Sequence, residues 1–230
     1  MKKILISEPT KNEFIPGLIY LFLELLALPV ILSLISLALP TPLTDGQLNG
    51  IYFLINFIVM VWIFRRHLRN AWSRFRSDVK SICLTALKGF GWYWLGSFIV
   101  TFIILILDPD FANVNDSNIA AMASQDFWII LVCTVALVPL TEELLFRGVI
   151  FGKLYNRSPI AAYLVSVLVF SVVHVIGYIG MYPVETLLLC FLQYIPASLA
   201  LGWCFAKADN IFSPVLMHTA VNVIGVLAMR

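Results

Sequence analysis

The stretch from Phe127 to Ile150 reads FWIILVCTVALVPLTEELLFRGVI. It is long enough to cross a bilayer, whose apolar core of about 30 Å takes about 20 residues of α-helix. Its second half nevertheless carries two acids and a base, Glu142, Glu143 and Arg147. Charged side chains at membrane depth are costly, so they usually mark a structural or chemical task. This one segment therefore predicts a membrane-spanning helix and a polar site within it.

The whole chain has the composition of a membrane protein. Of its 230 residues, 61% are hydrophobic and 12% are charged, and the mean hydropathy is +0.95. Soluble domains are about 45–50% apolar and about 25% charged, so this chain has too little polar surface to face water on all sides. No basic tract is interleaved with stacking aromatic residues in a polar domain. We therefore expect membrane lipids as partners and no nucleic acid.

Outward from the quoted stretch, seven segments have the length and hydropathy of a transmembrane helix, and turn-forming residues separate them. They are Ile15–Leu39, Leu48–Phe64, Leu87–Leu107, Phe127–Ile150, Pro159–Ile179, Val184–Ala206 and Ile211–Met229. We predict an all-α, polytopic transmembrane helix bundle of about seven spans. It would occupy residues 1–230 as a single domain, with a motif-bearing core at residues 127–229.

Charge is distributed unequally between the two ends of these segments. One set of ends carries Lys2, Lys3, Lys11, Arg65, Arg66, Arg69, Arg74, Arg76, Lys80, Lys153, Arg157 and Lys207. The other set carries Asp45, Asp108, Asp110, Asp116, Asp126 and Glu185, with no base before Arg230. Basic residues favour the cytoplasmic side of a membrane. We therefore expect a multi-pass protein of the cell membrane, with its N-terminus in the cytoplasm and its C-terminus outside.

Two connecting segments are long enough to have structure of their own. Arg65–Lys80 combines most of the basic residues with Trp72 and Phe75. It is either an amphipathic helix on anionic lipid headgroups or a plain cytoplasmic loop. Asp108–Asp126 is polar and acidic, and we predict an exposed loop there.

The adjacent acids of the quoted stretch cannot share one role. On a helix, the side chains of Glu142 and Glu143 point about 100° apart. Glu143 and Arg147 are four residues apart with the acid first, which favours an ion pair that is usually structural. Glu142 has no such partner on its own helix, so its partner must come from another one.

Two later segments supply candidates for that partner. The fifth contains Phe170-Ser-Val-Val-His174, and the seventh contains His218-Thr-Ala-Val-Asn222. Buried imidazole and carboxylate groups are the materials of general acid–base catalysis. A single intramembrane histidine is more often a packing residue, so the hypothesis of a site depends on the three patterns occurring together. Glu24 is a further intramembrane acid, but no motif surrounds it, and we interpret it as structural.

The three patterns are Glu-Glu-x-x-x-Arg at 142–147, Phe-x-x-x-His at 170–174 and His-x-x-x-Asn at 218–222. In this order on membrane helices, they resemble the CPBP family. That family groups CAAX prenyl endopeptidases with bacteriocin-processing and immunity-associated (Abi-type) membrane proteins. The resemblance covers about residues 127–229.

The resemblance implies an intramembrane endopeptidase that hydrolyses a membrane-presented peptide or protein near the cytoplasmic face. Glu142 would be the general base that activates the attacking water, and His174 would help to hold that water. His218 and Asn222 would stabilise the oxyanion, where fixed donors contribute most in a dry site. The supporting residues would be Glu143, Arg147 and Phe170.

Members of this family have also been described as metalloproteases. Glu142, His174 and His218 could supply three zinc ligands and leave an open position. No HExxH motif is present, however. A metal-free mechanism centred on the glutamate accounts better for Asn222, because an amide is a poor zinc ligand and a good oxyanion donor. We favour no cofactor and keep zinc as the alternative.

Two other functions fit the same residues. The chain could be a non-catalytic membrane scaffold or bacteriocin-immunity factor that keeps the motifs for stability. It could also be a small proton-coupled transporter with Glu142 and His174 as a relay, although the repeated halves common in transporters are not visible. All three functions could use Pro139, which we expect to kink the helix and free backbone carbonyls beside Glu142. The sequence leaves the substrate open.

Overall fold

The computed structural model describes residues 5–229. They form eight helices and no β-sheet. The helices are α1 (Lys11–Leu37), α2 (Asp45–Ile63), α3 (Arg65–Ser77), α4 (Val79–Leu107), α5 (Val114–Tyr155), α6 (Pro159–Tyr178), α7 (Val184–Ala208) and α8 (Phe212–Ala228). The predicted all-α fold is confirmed. Three charged residues used to orient the chain, Lys2, Lys3 and Arg230, lie outside the described residues.

Six of these helices are long and apolar enough to cross a membrane: α1, α2, α4, α5, α6 and α7. Helix α8 is apolar but shorter, with 17 residues. The seven predicted segments correspond to these seven helices. Large apolar side chains cover the outer surface, and Phe98 and Ile106 are 72% and 66% exposed. A contiguous apolar surface of this kind needs lipid around it, so the chain is an integral, polytopic membrane protein.

The predicted loop Asp108–Asp126 is wrong over most of its length, because α5 begins at Val114. The side chain of Asn113 caps the helix by accepting the N–H groups of Asn115 and Asp116 at 2.9 and 3.2 Å. The helix bends at Asp126, whose φ of −125° and ψ of 46° are not helical. Its carboxylate accepts a hydrogen bond from Thr44, the N-cap of α2. Helix α5 therefore reaches further towards the acidic end of the bundle than predicted.

The basic segment after α2 is a helix, which decides between its two predicted structures. Helix α3 buries His67 and Ala71 on one face and exposes most of its arginines on the other. Asn210 fastens the buried face by donating to the Ala71 carbonyl at 2.9 Å. Burial lowers the pKa of His67 to about 4. The histidine outside the motifs is therefore neutral at pH 7 and has a packing role.

Residues 5–8 cross the basic end of the bundle as a strap. Leu5 and the Asn156 side chain exchange two hydrogen bonds, of 2.8 and 3.0 Å. The backbone N–H of Ser7 donates to the Asp209 carboxylate at 2.9 Å. Further polar contacts of the strap go to Arg74 and Lys153. The strap thereby joins α3, α5 and the turn between α7 and α8, and it covers this end.

A π-helical turn in α5 precedes Pro139 and leaves a backbone carbonyl free. The N–H of Val138 donates to the carbonyl of Cys133, five residues back. The next donor in that series would be the N–H of residue 139, which proline lacks. Asn222 of α8 donates its Nδ2–H to the freed Thr134 carbonyl instead, at 2.8 Å. Pro139 therefore frees a backbone carbonyl as predicted, but it is that of Thr134, eight residues before Glu142, and its hydrogen bond fastens α8 to α5.

Helix α1 repeats the same arrangement. Its π-helical turn pairs the N–H of Leu28 with the carbonyl of Leu23 and is followed by Pro29. Pro29 has no N–H to donate to the Glu24 carbonyl. That carbonyl accepts a hydrogen bond from the Tyr52 hydroxyl of α2 at 3.3 Å instead. In apolar surroundings every backbone polar group needs a partner within the protein. Each proline therefore fixes a contact between two helices.

Helix α4 packs tightly against α7 at Gly89. A Cβ atom added there would overlap Cys204 Sγ and lie 3.2 Å from Met217 Sδ. At Gly91, on the same helix, an added Cβ would meet nothing within 4 Å. The two glycines therefore form a matched pair for a test of this packing.

We expect Gly89→Ala to destabilise the protein by about 1–3 kcal/mol, the usual cost of overpacking a core. Gly91→Ala should be neutral or slightly stabilising, because alanine is the better helix former. Thermal unfolding of the purified variants in detergent measures the difference, and Gly89→Ala/Cys204→Ala should recover stability. Equal melting temperatures for the two single variants would contradict the close packing of α4 on α7.

Candidate active site

A cavity of about 810 Å³ lies between the helices and is lined by Glu142, His174, His218 and Asn222. Helix α5 contributes the glutamate, α6 the first histidine, and α8 the other two side chains. Phe170, one turn before His174, also lines the cavity. The structure thus brings the four proposed catalytic residues together from three helices. Their catalytic roles stay a prediction.

Glu143 and Arg147 form a fully buried ion pair beneath the cavity. Arg147 Nη1 lies 3.1 Å from Glu143 Oε1, and both side chains have 0% exposure. Arg147 Nη2 also donates to the Ser198 carbonyl of α7 at 3.2 Å, and the guanidinium lies 4.8 Å from the Phe170 ring centre. A buried charge is tolerated only when it is paired and hydrogen-bonded. This pair therefore requires α6 and α7 to lie against α5.

His218 links the two adjacent glutamates. Its Nδ1 lies 2.9 Å from Glu143 Oε1, and its Nε2 lies 3.9 Å from Glu142 Oε2. Because an ionised carboxylate only accepts hydrogen bonds, the short contact places a proton on Nδ1 and turns Nε2 towards Glu142. Glu143, which we predicted only to support the site, therefore also orients a proposed catalytic histidine.

Glu142 has different surroundings from its neighbour. Its side chain keeps 22% exposure and lines the cavity, and within residues 5–229 no group donates a hydrogen bond to its Oε2. A carboxylate with a free oxygen at a cavity wall is suited to taking a proton from water. The two acids thus have the divergent environments predicted from their adjacent positions.

His174 is held by its own helix and by two aromatic rings. Its Nδ1 lies 2.7 Å from the Phe170 carbonyl, which can only accept, so Nδ1 carries the proton. Its ring centre is 4.5 Å from that of Phe170 and 4.3 Å from that of Tyr194. Within the described chain, His174 makes no hydrogen bond to Glu142. Its Nε2 is left as an acceptor at the cavity.

Asn222 has a structural task that the sequence did not reveal. One N–H of its amide donates to the Thr134 carbonyl at 2.8 Å. An amide nitrogen carries two hydrogens, so one N–H is left for another acceptor at the cavity. The residue can thus fasten α8 and still donate to an oxyanion.

The residues predicted as zinc ligands do not converge in this arrangement. Among residues 5–229, no three His, Cys, Asp or Glu side chains are grouped closely enough to hold a metal ion. Glu142 and His218 approach to 3.9 Å, whereas the ring of His174 packs between Phe170 and Tyr194.

Glu24, an acid with no motif around it, lies in the π-helical turn of α1. It is buried, and its Oε2 accepts no hydrogen bond from residues 5–229. The sequence did contain a signal for this turn: LELLALP at 23–29 is similar to CTVALVP at 133–139. Each of these two stretches forms a π-helical turn and contains a proline. Each turn has one buried residue, Glu24 in α1 and Cys133 in α5.

The sequence analysis also missed a polar rim around the cavity. Asn113 donates to Gln193 Oε1 at 2.7 Å and accepts the Tyr194 hydroxyl at 3.3 Å. The Tyr178 hydroxyl donates to Asn115 Oδ1 at 3.2 Å. Such asparagines next to a membrane segment need polar partners, and their cluster at 113–118 was the available signal. The rim ties the start of α5 to α6 and α7.

We expect Arg147→Met to destabilise the protein by about 3–5 kcal/mol, because it leaves Glu143 as an uncompensated buried charge. Arg66→Met, which changes an exposed arginine of α3, is the matched control and should have little effect. Thermal unfolding in detergent measures both. Similar melting temperatures for the two variants would contradict the buried ion pair.

Comparisons with known proteins place the same residues in a family context. Residues 124–224, which contain all three motifs, match the family described as type II CAAX prenyl endopeptidase Rce1-like. Over 94 residues, the chain is 34% identical to the UPF0177 protein YxdF of Lactococcus lactis subsp. lactis (strain IL1403). That alignment covers 41% of this chain and 46% of the relative, so the chain matches less than half of the relative's length. No solved structure matches the chain significantly.

Proposed function

We propose that this chain, whose residues 124–224 match the Rce1-like family of type II CAAX prenyl endopeptidases, is an intramembrane endopeptidase. The observation that carries the proposal is the pairing of two adjacent glutamates with one histidine. Glu143 holds His218 at 2.9 Å, and Glu142 Oε2 lies 3.9 Å from the same ring and accepts no hydrogen bond from residues 5–229. The substrate would be a peptide or protein presented within the membrane.

Glu142 would act as the general base. It takes a proton from a water molecule, whose oxygen attacks the carbonyl carbon of the scissile peptide bond. The same proton then passes to the leaving nitrogen as the carbon–nitrogen bond breaks, which gives a carboxylic acid and an amine. His174 supports this step, because its Nε2 can accept the second hydrogen of the water. A positioned base of this kind contributes about 10²–10⁴-fold to the rate.

His218 and Asn222 would stabilise the oxyanion of the tetrahedral intermediate. To donate from Nε2, His218 must carry protons on both nitrogens, with Nδ1–H bound to Glu143. Asn222 would use the N–H that is not bound to Thr134. Both donors are fixed before the substrate arrives, and fixed donors lower the barrier most effectively in a site with little water. This glutamate-centred mechanism uses the chain's own side chains and no metal.

We expect Glu142→Gln to lower peptide cleavage by at least about 10²-fold, because an amide cannot accept the proton of the water. Purified protein in lipid nanodiscs is incubated with a mixed peptide library, and new termini are identified by mass spectrometry. Glu185→Gln, which changes an exposed glutamate at the start of α7, is the control and should cleave like the wild type.

The same assay separates the alternatives. Cleavage that survives in Glu142→Gln would overturn the proposed base. A biological activity that persists in Glu142→Gln without any cleavage would favour a scaffold or immunity factor. Proton-coupled uptake of a solute into proteoliposomes would favour a transporter. Loss of cleavage after removal of bound metal by a chelator, with recovery on adding zinc, would favour the metal-dependent mechanism.

We further propose that the basic end of the bundle faces the cytoplasm and the acidic end faces outwards. The basic end carries α3, whose exposed arginines would contact anionic lipid headgroups. Over residues 5–229, no lysine or arginine lies at the acidic end of any helix. This asymmetry supports a cytoplasmic N-terminus and an external C-terminus.

We expect Asp110→Cys to react with a membrane-impermeant maleimide in intact cells. Arg69→Cys, in α3, should react only after the cells are opened. Cys133, Cys190 and Cys204 are buried, and the exposed Cys83 is replaced by serine in both variants to remove its labelling. The reverse labelling pattern would place the acidic end in the cytoplasm.

A further inference from the structure

The cavity leads from Glu142 to the acidic end of the bundle. Its lining includes residues from the starts of α2 and α5 and from the ends of α6 and α8, all of which lie at that end: Asp45, Asn49, Asp116, Asn118, Tyr178 and Met229. No residue of α3 and none of the strap at residues 5–8 lines it. A substrate would therefore enter from the acidic end.

The charge of the cavity wall has one sign. Its acids are Asp45, Asp116 and Glu142, and the side chains that line it include no lysine or arginine. Carboxylates in a cleft with apolar walls focus a negative potential and attract cations. This potential disfavours anionic substrates and favours peptides with basic groups.

Asp116 lies among aromatic side chains of the same wall. Tyr93, Tyr178, Tyr194 and His174 line the same cavity. The hydroxyls of Tyr178 and Tyr194 are bound to the rim asparagines, which fixes their rings. A carboxylate and several tyrosine rings that line one cavity are groups that can bind an ammonium or guanidinium group.

We propose that Asp116 and the three tyrosines form a subsite for a basic side chain of the peptide substrate. His174 packs against Tyr194 with ring centres 4.3 Å apart, so a lysine or arginine held here would lie within a few residues of the scissile bond. The proposal depends on the proposed peptidase function. It adds the chemical class of the substrate, a cationic peptide, and its route of entry, the acidic end. With the orientation proposed above that end is external, whereas the family resemblance implies cleavage near the cytoplasmic face.

A peptide series tests the subsite. Wild-type protein in nanodiscs is given quenched fluorescent nonapeptides of alanine and leucine that carry a single lysine at each position in turn. Matched peptides carry norleucine, which keeps the carbon chain without the ammonium group. We expect kcat/KM to be at least about tenfold higher with lysine at one position. Asp116→Asn should reduce that ratio to below about threefold through a higher KM for the lysine peptide.

Asp110→Asn is the matched control, because Asp110 is exposed, precedes the same helix and does not line the cavity. It should keep the ratio of the wild type. Equal cleavage of lysine and norleucine peptides by the wild type would overturn the subsite, and this comparison needs no variant. A preference that persists unchanged in Asp116→Asn would also overturn it.

Binding separates this proposal from the peptidase function. Fluorescence anisotropy measures the affinity of Glu142→Gln for the same peptides without turnover. If Glu142→Gln binds lysine peptides more tightly and Glu142→Gln/Asp116→Asn does not, the cation subsite is supported. If in addition the wild type cleaves none of the peptides, the peptidase function is overturned. No preference for lysine in binding or in cleavage would overturn the subsite.

Discussion

The buried ion pair between Glu143 and Arg147 is the interaction on which the arrangement of the other helices depends. Neither charge has contact with water, so each needs partners from neighbouring helices. Helix α7 supplies the Ser198 carbonyl, α6 supplies the face of Phe170, and α8 supplies His218. A shift of any of these helices would leave a charge without a partner in an apolar interior. The pair therefore fixes the helices that carry the proposed catalytic groups.

Backbone chemistry adds a second constraint of the same kind. Pro139 removes a donor from α5, and the side chain of Asn222 in α8 replaces it at the Thr134 carbonyl. Thr219, also in α8, donates to the neighbouring Val135 carbonyl at 3.3 Å. In lipid these groups have no water to bind, so the two helices stay joined beside the site. Pro29 and Tyr52 join α1 to α2 by the same means.

These two constraints explain how adjacent glutamates can have different tasks. Glu143 is committed to Arg147 and His218 and has no exposure. Glu142, one residue earlier and turned to the cavity, keeps a free oxygen. Two carboxyl groups with divergent surroundings are the usual basis for a division between a reacting and a supporting acid. The proposed chemistry thus follows from the walls of the cavity as much as from the acids themselves.

The sequence by itself determined the helical membrane fold, its spans and the residues that meet. Hydropathy and motif spacing are local properties, and in lipid an apolar stretch of sufficient length has few structures other than a helix. The tertiary structure decided that Glu143 orients His218, that Asn222 donates a hydrogen bond to a carbonyl of α5, and that Glu24 is buried. It also replaced the predicted loop by the start of α5, which brings Asp116 into the cavity and sets the end from which the cavity is reached. These features depend on how separate helices rotate and pack, and hydropathy along one helix does not fix its rotation against another.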